Sequence, residues 1–350
     1  MKNILLFSFL IILFTACSTS EKIVTKYVSD CIYYEIPTDL RDETQTEKSI
    51  EYYKPGLTGK KIFIDPGHGG SDRRNKSENG VVVEADVNLR VSLYLRDFLT
   101  RAGAVVIMSR DKDETVDLKY RSELANESGA DLFISVHHNS PGKVGDNWTN
   151  YTSTFYHAKE GYYQYEPGEH DIAKFVQRDL AYAMRNPGGL GSFDGTYSDF
   201  WIYPGDGFSV LRKTEIPAIL IECGFHSNRV EEIRLADEQF NKIQAWGIFK
   251  GLGKYFRLGS PTITLLQEKS KFVNRNLELN FLLEDKNGID PLSISAYFDS
   301  VLVSNTFIED QNLVKLNIEN VNSGEHEVRI IAANKQNIHS LPYKRKIILK

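Results

Sequence analysis

The chain has 350 residues, with 42 basic against 47 acidic side chains and a formal net charge of −5. At the usual ~150 residues per domain this is room for about two domains, and the 41% of hydrophobic residues supplies a sizeable core. No basic block or tail is present to neutralise a phosphate backbone, which argues against nucleic acid as a partner, and three cysteines are too few for a disulfide framework.

At the N-terminus Lys2 precedes an apolar run from Ile4 to Phe14, followed by Thr15-Ala16-Cys17. The run is shorter than the ~20 residues a spanning helix needs and ends in small residues, so residues 1–16 read as an export signal. They resemble a bacterial lipoprotein signal, which implies lipidation of Cys17 as the first residue of the mature chain, a membrane tether and a periplasmic location. Residues 17–57 are polar, with Pro37 and Pro55-Gly56 as breakers, and read as a linker with a short strand at Cys31 to Ile36.

From residue 58 the pattern changes. Lys60 to Asp65 is a short apolar run entering a glycine-rich turn, Glu84 to Ala102 carries apolar residues at helical spacing and is closed by Gly103, and Ala104 to Met108 is a second strand. Leu118 to Ser128 reads as a helix, Asp131 to Val136 and Thr152 to Tyr156 as strands, Asp171 to Met184 as an amphipathic helix, Ala218 to Ile221 as a buried strand and Ala236 to Phe256 as a closing helix. Strands alternating with helices predict an α/β domain over 58–257, its mainly parallel sheet covered by helices. Two longer stretches, Lys159 to Glu169 and Asn186 to Gly207, are rich in glycine and aromatic residues and read as binding loops or lids. Residues 259–350 hold short strands separated by turns such as Asp285-Lys286-Asn287-Gly288, the pattern of a small immunoglobulin-like β-sandwich.

The residues that carry chemistry stand at element ends. His68 follows the first strand, Glu84 opens a helix, His137 closes the third strand and Glu222 closes Ala218 to Ile221. Ligands of such sheets collect at the carboxyl ends of strands, so these four should converge. Two imidazoles and a carboxylate suit one zinc ion with a coordination position left open, and a second carboxylate beside it can act on water. Cys223 follows Glu222 on a strand and faces away from it, so it reads as core filler rather than as a ligand.

The successive segments Asp65-Pro66-Gly67-His68-Gly69-Gly70, Glu84-Ala85-Asp86-Val87-Asn88, Ser109-Arg110-Asp111 with Leu118 and Arg121, Phe133-Ile134-Ser135-Val136-His137-His138-Asn139 and Ile216 to Asn228 resemble the ordered motifs of the zinc-dependent N-acetylmuramoyl-L-alanine amidases of the amidase 3 family. The resemblance covers about residues 58–257. It implies hydrolysis of the amide between the lactyl group of N-acetylmuramic acid and L-alanine in peptidoglycan, with His68, Glu84 and His137 as zinc ligands and Glu222 as general base and acid. It further implies a substrate contact for Arg212, and Asp65 is a candidate orienter of a ligating histidine. His138 is expected to be structural or rim-forming, while His157, His170 and His226 are left as solvated or packed. Two other readings use the same residues: a peptidoglycan-binding domain without catalysis, and a zinc peptidase or deacetylase acting on another wall amide. An activator or division protein is a further candidate partner.

Overall fold

The computed structural model describes residues 34–350 apart from 144, 160–164, 190–193 and 342, so the export signal, Cys17 and Cys31 lie outside the described residues. Six strands form one sheet: β1 (Lys61–Pro66), β2 (Val105–Met108), β3 (Leu132–Asn139), β4 (Ser153–Tyr156), β5 (Thr196–Ser198) and β6 (Ala218–Phe225), in the spatial order β2-β1-β3-β6-β4-β5. The first four strands in space are parallel, as the alternating pattern requires; β4 runs antiparallel to β6 and carries β5 parallel to itself. The helices are α1 (Glu43–Leu57), α2 (Glu84–Arg101), α3 (Leu118–Ser128), α4 (Pro167–Met184), the short α5 (Asp199–Ile202) and α6 (Ser209–Lys213), α7 (Arg229–Leu235) and α8 (Glu238–Leu258). Alternation along the strands divides the core. Phe63, Phe133 and Leu220 pack with Ala125 of α3 and Leu211 of α6, whereas Ile62, Ile64, Ile134 and Ile221 are buried on the face that α2, α4 and α8 cover.

The expected linker over 17–57 is corrected from residue 43 onward, because α1 belongs to the domain. Asp42 caps it by accepting from Gln45 N at 2.9 Å, and Ile50, Tyr53 and Leu57 form one buried stripe against α8. Burying Ile50 and Leu57 completely is worth roughly 1.5–3 kcal/mol each. The Pro55-Gly56 pair that reads as a breaker sits in the last turn. Gly56 is there because a Cβ would come within 2.5 Å of the Arg257 backbone, and Gly253 returns the favour to the Tyr53 ring at 2.6 Å. The short strand expected at Cys31 to Ile36 is absent over its described residues, Tyr34 to Ile36.

The C-terminal residues form two facing antiparallel sheets from β7 (Thr262–Leu265), β8 (Lys271–Val273), β9 (Asn276–Glu284), β10 (Ile289–Phe298), β11 (Val301–Val303), β12 (Asn305–Ile308), β13 (Leu313–Ile318), β14 (Gly324–Asn334) and β15 (Tyr343–Leu349). One sheet has the order β11-β10-β14-β15, the other β12-β13-β9-β7 with β8 on β9. Phe281 and Val314 from one sheet meet Ala296 and Ile330 from the other in a single apolar core, the expected sandwich. It sits on the start of α4: a Cβ on Gly168 would lie 2.5 Å from Ser340 O, and buried Asp171 receives both N and Nδ1 of His339 at 2.8 Å.

Candidate active site

The parallel register explains why residues distant in sequence meet. Asp65 pairs with Ser135, Pro66 with Val136 and His137 with Glu222, so the carboxyl ends of β1, β3 and β6 lie side by side. At the end of β1 the chain turns through His68 (φ 59°), Gly69 (φ 120°) and Gly70 (φ 58°), left-handed backbone that only the glycines adopt without strain. Gly67 is required for a different reason: a Cβ there would lie 2.2 Å from the His137 ring. Two buried arginines hold the turn from outside. Arg110 donates to the carbonyls of Pro66, Gly67 and Ala85, and Arg121 donates to those of Pro66 and His68 and to Asp65 Oδ1 at 2.6 Å. The Ser-Arg-Asp segment and Arg121 thus shape the backbone that presents His68.

Glu84, at the first turn of α2 and almost fully buried, stands between the two imidazoles. Its Oε2 is 3.2 Å from His68 Nε2 and its Oε1 is 3.1 Å from His137 Nδ1. The His138 backbone N–H and Asn88 Nδ2 also donate to Oε1, and Asn75 Nδ2 donates to Oε2 at 2.8 Å. Burial by itself would raise the Glu84 carboxyl, but the hydrogen bonds and charge of His137 and His68 hold it well below the usual carboxylate range. Burial likewise lowers the His68 imidazole, yet Glu84 and Asp72 outweigh it and push it up to about 9.

Glu222 lies beside this cluster on β6. Burial and the neighbouring Glu84 charge push its carboxyl well above the ordinary range, and its buried Oε2 has no hydrogen-bond partner among the described residues. Tyr151 borders it, its phenol raised by burial and by the Glu222 charge, with its ring against Phe225.

The residues fit a zinc ion. One donor atom each from His68, Glu84 and His137 lie within 4.8 Å of one another. Bonds of ~2.0–2.1 Å in a tetrahedron set donors about 3.3 Å apart, and each imidazole stands at about that distance from one of the two Glu84 oxygens, His68 from Oε2 and His137 from Oε1. The partnerless Glu222 oxygen next to them is what a base awaiting a water proton requires.

The other expected residues fall elsewhere. Asp65 touches neither ligating imidazole: it accepts from Ser109, Ser135 and Arg121, so it supports the turn and not a ring. The carboxylate that does orient a ring is Asp72, whose Oδ2 is 2.7 Å from His68 Nδ1; it stands four residues on in the same turn, a spacing that could have singled it out. Arg212 is bound to Asp206 and borders a cleft with Glu215, Pro217, Lys344 and Arg345, at the entry of β6 and about 13 Å of strand before Glu222. Lys159, Tyr165 and Glu166 line that same cleft, so the described flanks of the first long loop border the sandwich instead of the metal cluster. His138 is structural, its two ring nitrogens held by Asn88 and Gln244 at 2.8 and 2.9 Å, and burial keeps it neutral by lowering it to about 3. Cys223 is a free buried thiol. His226 is packed, as expected, but against the cluster.

The family model Amidase_3, described as N-acetylmuramoyl-L-alanine amidase, matches residues 62–254, more than half of the chain. The chain belongs to this family. It is 33% identical over 214 residues to the germination-specific N-acetylmuramoyl-L-alanine amidase of Bacillus subtilis, covering 57% of this chain and 81% of that protein. It is 34% identical over 208 residues to the amidase CwlM of Bacillus licheniformis, covering 59% and 72% respectively. Among solved structures, an N-acetylmuramoyl-L-alanine amidase from Clostridium difficile 630 aligns with a TM-score of 0.49 and 30% identity, over 58% of this chain and 99% of that one. This amidase is therefore a cell-wall hydrolase that cleaves the amide joining muramic acid to the stem peptide, and the matched segment is the one that holds His68, Glu84, His137 and Glu222.

Proposed function

We infer that this amidase is zinc-dependent, with His68, Glu84 and His137 as the ligands and Glu222 as the proton carrier. The observation that supports this reading is the convergence of three donor atoms beside a buried carboxylate oxygen with no partner. A zinc ion in that cluster would supply Lewis-acid polarisation of the scissile carbonyl and acidification of a water. The chain's own residues do the rest. Asp72 accepts from His68 Nδ1 and so fixes the tautomer that leaves Nε2 free to ligate. Glu222 takes the proton of the attacking water at Oε2 and returns it to the alanine nitrogen as the C–N bond breaks, balancing the hydrolysis. Its raised affinity for a proton suits the second half of that cycle, and a nearby cation would moderate it for the first.

Residues 1–17 support a further part of the proposal: a lipoprotein anchored through Cys17 on the periplasmic side of a bacterial membrane, acting on wall peptidoglycan. Digestion of purified peptidoglycan tests the reaction. Peptides that begin with a free L-alanine amine, and zinc at one equivalent by elemental analysis, are expected; a new amine on the sugar or within the peptide would instead mark a deacetylase or a peptidase. For the anchor, Cys17→Ser should release the protein from the membrane fraction, and unchanged fractionation would refute it.

A further inference from the structure

His226 follows β6 directly and is 3% exposed. Its backbone N–H donates to Asn139 O at 3.0 Å, which ties it to the end of the strand that carries His137. Both ring nitrogens are buried and neither has a hydrogen-bond partner; the Lys76 carbonyl stands near the ring but outside hydrogen-bond geometry. An imidazole must carry at least one N–H, so the described residues leave a buried donor without an acceptor in hydrogen-bond geometry, an arrangement that is unfavourable. The Glu84 carboxylate faces Nε2, with Oε2 at 4.0 Å, about one ångström beyond a hydrogen bond.

Glu84 shows what such a donor would do. Its Oε1 is fixed by the His138 backbone N–H and by Asn88, whereas Oε2 has Asn75 alone as a donor that is not itself a ligand, and Asn75 also faces His68 Nε2 at 3.1 Å. The carboxylate is thus held firmly on one oxygen and loosely on the other. We propose that His226 is a positioning residue for the metal centre, donating from Nε2 to Glu84 Oε2 when the centre is loaded and so fixing which carboxylate oxygen faces the metal. This rests on the ligand set inferred above. A bond from Nε2 to Oε2 would give the buried donor a partner, so the same contact that orients Glu84 would relieve an unsatisfied group on His226.

That contact predicts opposite effects on two measurements. In the full chain stripped of metal, His226→Leu replaces an unsatisfied polar group by an apolar one, so the melting temperature should stay level or rise. Its Zn²⁺ affinity, measured by competition with a chromophoric chelator, should fall by ~10–100-fold, the usual effect of losing a partner that orients a ligand. His226→Gln keeps a donor of similar reach and should recover most of that affinity. Zinc binding by His226→Leu within about twofold of the parent would overturn the proposal, as would a metal-free His226→Leu that melts well below the parent, which would mark a packing residue. His226→Gln as weak as His226→Leu would overturn the donor role. A parent that binds no zinc at all would instead refute the ligand set and leave a different question.

Discussion

The carboxyl end of the α/β sheet and the interior of the C-terminal sandwich are buried to a similar depth by opposite means. In the sandwich, Leu279, Phe281, Ala296, Val314 and Ile330 exclude water with carbon alone. At the sheet end, Asp65, Glu84, Asn88, Arg110, Arg121, His138 and His226 are equally inaccessible and almost every polar atom is matched. Packing by carbon holds a shape and tolerates volume-conserving exchange. A buried polar lattice is costly to assemble and fails when any member is lost, so its presence marks where the chemistry is set. Among the buried atoms it leaves unmatched are Glu222 Oε2 and the His226 ring nitrogens, beside the donor cluster.

Substitutions separate the two regions. The largest effects are expected at Glu222 and the three donor residues: Glu222→Gln should still bind zinc, while turnover on soluble muropeptide falls by ~10²–10⁴. Activity close to the parent's with zinc bound would remove Glu222 from the mechanism. His68→Ala, Glu84→Ala and His137→Ala should each lose both zinc and activity, as read by elemental analysis.

Next come two changes of similar cost and different consequence. Phe281→Ala opens a cavity in the sandwich and should cost about 3–5 kcal/mol in denaturant unfolding, with the metal retained. Arg121→Met leaves Asp65 buried without its cation, also about 3–5 kcal/mol, and should loosen the His68 turn so that zinc affinity falls as well. Equal zinc binding in the two variants would dissolve the distinction drawn between the regions.

Deletion of residues 36–57 should destabilise the catalytic domain more than deletion of 260–350, because it uncovers the α8 face that Ile50, Tyr53 and Leu57 fill. Melting of both truncated chains checks this. The pH dependence follows from His68. Its imidazole is raised in the folded, metal-free protein, so its contribution to stability is complete below the unfolded value of about 6.5 and is lost as pH rises through about 9. Melting temperature without metal should fall across that window. Zinc uptake near neutral pH should release a proton, seen as a calorimetric enthalpy that varies with the buffer. The smallest effect is expected at Arg212, where Arg212→Ala should alter stability and activity by no more than about 0.5 kcal/mol; a large loss of activity would restore it as a substrate contact.

Most of the sheet was legible in the sequence because its strands are apolar and its helices are strictly periodic: the residues 118–128 helix coincides with α3, and the helix begun at Glu84 ends within one residue of the expected place. The donor cluster was legible because each member stands at or near the end of an apolar run or the start of a helix, although β3 continues two residues past His137. What escaped depended on tertiary approach. The α1 stripe at Ile50, Tyr53 and Leu57 has helical spacing, but its Pro-Gly ending reads as a stop unless the α8 backbone is known to pass against it. Asp65 and Asp72 flank one turn, and nothing in their order tells which reaches the imidazole; Arg121, from a helix more than fifty residues on, takes Asp65 and leaves Asp72 for His68.

The reversal of β4 has a consequence for how such an enzyme diversifies. Because β4 starts at the end of the sheet where β3 finishes, the connection between them stays on the catalytic side and begins and ends within the frame of paired strands. It is anchored by Asn228 on the Trp148 carbonyl, by Asn150 on Glu231 and by the Asp146 turn, and it presents the Trp148 indole 79% exposed. Length and side chains can change in this one segment while the sheet register and the donor cluster stay as they are. The segment thus reaches Glu222 through Tyr151 while most of it lies outside the paired strands.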